Sequence, residues 1–123
     1  MATLADRVYD NGLTVLDTEA NRVDICSAEP ATYTAATSTN TLGNTTSITI
    51  SAPTDGDTSG RKVTLSAISN GSVTATGTAT HYAITDTSNS RLLATGSLSS
   101  SQSVTSGNTF SLTAVDIEIP DPA

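Results

Sequence analysis

A chain of 123 residues has the size of one domain, and five basic against twelve acidic residues leave it a net charge of −7. No basic cluster exceeds the pair Arg61-Lys62. That is a poor match for phosphate backbones or anionic membrane surfaces, and no stretch approaches the ~18 apolar residues of a membrane span. Aromatic residues make up only 3 % of the chain, with no Trp and Phe110 as the one Phe. A core of Val, Ile, Leu and Ala leaves little surplus over chain entropy, which predicts a subunit completed by docking or oligomerising.

Three zones follow in chain order. Residues 1–29 carry half the acids, two of the four arginines and scattered apolar points. Ala2 to Tyr9 suits a short helical turn, Asn11-Gly12 a reversal, and Leu13–Leu16 and Arg22–Ser27 short strands. The zone reads as an extended N-terminal arm whose Leu4, Val8, Tyr9, Leu13, Val15 and Leu16 are candidate partner-binding residues. Some 25 extended residues reach ~80 Å, enough to cross to a neighbouring subunit. Deleting residues 1–29 is accordingly expected to abolish attachment while the rest still folds. Residues 30–46, mostly Thr, Ala, Ser and Asn, read as an extended loop with little to bury.

Residues 47–123 read as the main β domain. Period-two alternation predicts strands over Ser47–Ala52, Arg61–Ile68, Ser72–Ala79, His81–Thr87, Arg91–Leu98 and Thr109–Ile119, with a hairpin turn at Asn70-Gly71. Turns are expected at Ser88-Asn89-Ser90 and over Ser99–Asn108, and Pro120 and Pro122 end the last strand. The inward set slips phase between residues 79 and 82 and again between 114 and 115. Each slip predicts a bulge, a bend or a change of sheet. The fold class is all-β: an antiparallel β-sandwich, jelly-roll or immunoglobulin-like, with an N-terminal arm. About one residue in three is Ser or Thr, which keeps exposed strand faces wet.

No residue pattern points to catalysis, and no catalytic, cofactor or metal residue is assigned. His81, the sole histidine, has no nucleophile-elbow motif such as G-x-S-x-G to serve. One His and one Cys cannot assemble a zinc site from the usual ligands. Cys26 cannot form an internal disulfide and reads as a small buried hydrophobe. Asp55-Gly56-Asp57 lacks the spaced ligands of an EF-hand loop and reads as a turn. Asp116 and Glu118 share a face of the last strand at period two, a solvated or interfacial pair. The sequons at Asn44 and Asn70 carry no weight without a secretory signal, and residues 1–6 lack the basic-then-apolar order of one. Synthesis and folding in a reducing cytoplasm are expected.

Five phrases occur together: Asp10-Asn11-Gly12-Leu13, Gly60-Arg61-Lys62-Val63-Thr64-Leu65, Ala79-Thr80-His81-Tyr82-Ala83, Leu92-Leu93-Ala94-Thr95-Gly96 and Ser106-Gly107-Asn108-Thr109-Phe110. Together they resemble small structural proteins encoded among the head genes of tailed bacteriophages, over most of the chain. The resemblance implies a virion component on the head surface, a decoration or cement protein that bridges capsid subunits. Its partners would be the major capsid protein and copies of itself, with no nucleic acid, membrane or cofactor. The alternatives are a phage tail, fibre or receptor-binding component, which usually shows repeats absent here, and a carbohydrate-binding adhesive sandwich, which needs more exposed aromatic rings. An enzyme is not expected.

Overall fold

The alternation that fills the sequence is realised as antiparallel strands throughout the computed structural model, which describes residues 5–120. In chain order the elements are α1 (Asp6–Glu19), β1 (Arg22–Cys26), a π-helical turn (Ala35–Thr39), β2 (Thr41–Thr45), β3 (Thr54–Asp55) and β4 (Arg61–Leu65). Then come β5 (Ile68–Val73), β6 (Gly77–Asp86), β7 (Arg91–Val104), β8 (Thr109–Leu112) and β9 (Val115–Ile119). They divide into two units, each assembled from separate stretches of chain rather than from the consecutive zones 1–29, 30–46 and 47–123.

The first unit comprises Met1–Glu19, Thr49–Ala67 and Thr113–Ala123. Its sheet has the order β3-β4-β9, and α1 packs on β4. Tyr9, Leu13 and Leu16 fall at i, i+4 and i+7, one face of a helix, and are buried with Val63 and Leu65 of β4. Here the structure corrects the sequence reading. Asn11-Gly12 does not reverse the chain but lies inside the helix, and Leu13–Leu16 is helical. Burial of one apolar stripe outweighs the cost of about 1 kcal/mol for a mid-helix glycine. The strand expected over Ser47–Ala52 shrinks to a bridge between Ile50 and Leu65, because Pro53 has no N–H to extend the ladder. Gly60 closes the β3–β4 connection at φ +70°, a left-handed conformation that favours glycine.

The second unit comprises Ala20–Ile48 and Ile68–Leu112, and its strands form one continuous ladder in the order β7-β6-β1-β2-β5-β8. The Gln102 amide of β7 donates to the Ser111 carbonyl of β8 at 2.9 Å. The two edge strands therefore approach each other at this end, and the sheet is curled. β1 pairs with β6 on one side and β2 on the other, which makes it a central strand. Loss of residues 1–29 would thus remove both α1 and the middle of this sheet. A remainder that folds unaided is not to be expected.

Residues 30–46 are likewise structured rather than an open loop. Ala36 of the π turn is buried with Cys26 and Ala83, and β2 joins β1 to β5. Small side chains suit this path because the backbones pass close together.

Asn70-Gly71 is no hairpin. It lies within β5, where the register against β8 shifts between Ile68 and Gly71. A Cβ on Gly71 would overlap the Phe110 ring, so the glycine lets the only Phe lie flat on the backbone. The chain turns instead at 74–76, where the N–H groups of Thr74 and Ala75 both donate to the Leu42 carbonyl (2.8 and 3.1 Å). Both phase slips have structural counterparts. The β6–β7 register shifts between Ala79 and His81, and after β8 the chain leaves the six-stranded sheet for β9 of the other.

The tight turn at 87–90 is held by Asp86. Its buried carboxylate accepts from the Ser88 N–H (3.0 Å) and from Asn89 Nδ2 (2.8 Å). These bonds, the Asn89 side chain's first, hold Asp86 below the usual carboxylate range. A depressed folded-state pKa adds stability above the ordinary aspartate value that is lost as pH falls through the folded one. Acidification below about pH 4 should therefore lower the thermal midpoint, and Asp86→Asn should flatten that acid limb relative to the parent. Identical acid limbs would show that the turn bonds add nothing.

Candidate binding surface on the helix-and-sheet unit

The helix-and-sheet unit concentrates charge. It holds nine of the twelve carboxylates and three of the five cations, Arg7, Arg61 and Lys62, for a net −6. The curled-sheet unit has three carboxylates (Asp24, Glu29, Asp86) against Arg22 and Arg91, a net −1.

Adjacent residues of β4 project to opposite faces of the three-stranded sheet and organise this charge on both. On the helix side Arg61 Nε meets Asp10 Oδ1 at 2.9 Å and its Nη1 meets Asp55 Oδ1 at 2.7 Å, which holds α1 to the β3 side of the sheet. The guanidinium pKa is raised, most of all by the Asp10 bond. On the opposite face Lys62 Nζ lies 2.5 Å from Asp57 Oδ1 and 3.2 Å from Asp116 Oδ2, and Thr64 Oγ1 donates to Asp116 Oδ1 at 2.8 Å. Asp116 is held below its ordinary pKa, first by the Thr64 hydroxyl and then by Lys62. Glu118 accepts the Asp57 N–H at 2.7 Å. The carboxylates of the Asp55-Gly56-Asp57 turn are thus engaged by Arg61 and Lys62. Among the described residues no group of three His, Cys, Asp or Glu is placed to hold a metal ion.

The partner-binding candidates separate along the helix. Tyr9, Leu13 and Leu16 are interior, so the folded unit cannot offer them to a partner. Val8 and Val15 are 55 % and 36 % exposed, and Leu4 lies outside the described residues. Seven residues apart, Val8 and Val15 share one flank of α1 with Gly12 between them. That flank is on the β9 side: a Cβ at Gly12 would lie 3.8 Å from Ile119 Cδ1, and Ile119 is itself 36 % exposed. Ile119 was not singled out from sequence. The strict alternation Val115, Asp116, Ile117, Glu118, Ile119 was the signal that could have found it.

His81 and Cys26, singled out in the sequence, and Asp24, which was not, lie in the curled-sheet unit. His81 sits opposite Ser97 in the β6–β7 ladder, with the Thr80 hydroxyl 2.9 Å from its Nδ1. Asp24, fully buried, binds Arg22 through two contacts of 2.7 and 2.8 Å and accepts from Thr41 Oγ1 at 2.6 Å. Cys26 is fully buried, and burial pushes its thiol up to about 12, with the Asp24 carboxylate adding to the rise. The thiolate is the reactive form. Iodoacetamide at mildly alkaline pH should therefore leave the folded protein unlabelled and modify it promptly in urea. Fast labelling of the folded chain would contradict the packing.

No protein-family model, curated protein or solved structure matches this chain.

Proposed function

We propose that this chain is a structural virion protein of a tailed bacteriophage, decorating the head and bridging capsid subunits. The reading rests on the partition of charge and apolar exposure between the units. One unit is small, strongly acidic and edged by exposed Val8, Val15 and Ile119; the other is nearly neutral and rich in Ser and Thr. So divided, one unit is suited to docking and the other to solvent. Its partners in this role are the major capsid protein and further copies of itself, and its work is mechanical rather than catalytic. The resemblance of its sequence phrases to head-gene products points the same way.

Purified chain mixed with heads that lack it should cosediment with them to saturation, and the Val8→Asp/Val15→Asp variant should remain in the supernatant. Sedimentation with isolated tails but not heads would replace this reading with a tail component. Binding to neither would remove the virion role.

A further inference from the structure

β9 is an edge strand: it pairs with β4 alone, and among the described residues no strand lies on its far side. Unpaired edges are usually short, covered or guarded, because they template pairing with another chain. This edge is bordered on the helix side by the exposed flank of Val8 and Val15 beside Ile119, and on the opposite face by Asp116 and Glu118. A strand added here would slide between an apolar wall and an acidic face. Its side chains would point alternately to each.

The chemistry of the occupant follows from that alternation. A second copy of β9 is disfavoured. Any antiparallel register that keeps Ile117 and Ile119 on the apolar face sets Asp116 and Glu118 of one copy against those of the other, because the side-chain period is two. The two Lys62 side chains, each already shared between Asp57 and Asp116 of its own copy, leave a net negative charge on that face.

We infer that the edge of β9 and the Val8–Val15 flank of α1 form an acceptor groove for an extended segment of another protein in which apolar and basic residues alternate. Main-chain hydrogen bonds to β9 supply affinity; the valine wall and the acidic face supply specificity. The inference concerns the acceptor chemistry and stands apart from the identity of the particle, so its test uses the isolated 123-residue chain.

The probe is a short capped peptide of alternating valine and lysine, the length of β9, followed by fluorescence anisotropy and amide exchange. It should bind, weaken as salt is raised, and slow exchange of the β9 amides that point away from β4. An alternating valine–glutamate peptide should not bind, and Val15→Asp, at an exposed site, should weaken binding at least about tenfold. The inference is overturned by equal binding of the two peptides, by binding that Val15→Asp leaves unchanged, by β9 amides that keep their exchange rates, or by a concentration-dependent dimer that protects them instead. Failure here with heads still bound would refute the groove and leave the virion role standing.

Discussion

Replacing Phe110 with Ala should destabilise the protein by about 3–5 kcal/mol, the largest effect expected of any single truncation here. The chain has one Phe and no Trp, and this ring is buried in the curled-sheet unit against Gly71. Loss of the ring removes apolar area and leaves a cavity with the Gly71 backbone along one side, which collapses poorly. Phe110→Leu should cost much less, because it keeps most of the volume. Gly71→Ala should be damaging from the other side, since its Cβ would occupy the space of the ring. Urea unfolding followed by far-ultraviolet circular dichroism measures all three. A Phe110→Ala cost under about 1 kcal/mol would show that the ring does not organise this core.

The second large effect is expected at Asp24. Its carboxylate is fully buried and takes two contacts from Arg22 and one from Thr41. Asp24→Ala leaves a partly covered guanidinium and a hydroxyl without their acceptor, at a cost of about 3 kcal/mol. Arg22→Ala leaves the converse, a buried carboxylate stripped of its cation. The double variant should cost clearly less than the two single losses together, because the second removal no longer orphans a charge. Strict additivity in urea unfolding would mean that the pair does not act as a unit.

The sequence showed the strand-forming character, and much of the chain's punctuation, for a physical reason. Period-two alternation is a local property, and the phase slips near His81 and Val115 are local as well. Each corresponds to a real break, a register shift in one case and a change of sheet in the other. Partners are not local. Nothing in Val23 or Ile25 indicates that β1 lies between β2 and β6, or that the Thr-rich stretch after it supplies β2. The helix was legible in Tyr9, Leu13 and Leu16, but Asn11-Gly12 was given a turn's weight that tertiary burial overrides. Of the six candidate contact residues, Val8 and Val15 lie on the exposed flank, while Tyr9, Leu13 and Leu16 pack inside their own unit. The sequence marked Asp116 and Glu118 as sharing a face; that β9 is an edge depends on sheet order, which alternation cannot encode.

The proposed role puts this chain on the head lattice of a phage particle. Quantitative mass spectrometry of purified particles, with this chain measured against the major capsid protein, tests it most directly. Many copies, in a fixed lattice proportion to the capsid protein, are the expected result. A handful per particle would place the chain at the tail or portal vertex, and its absence from the particle would refute a virion role.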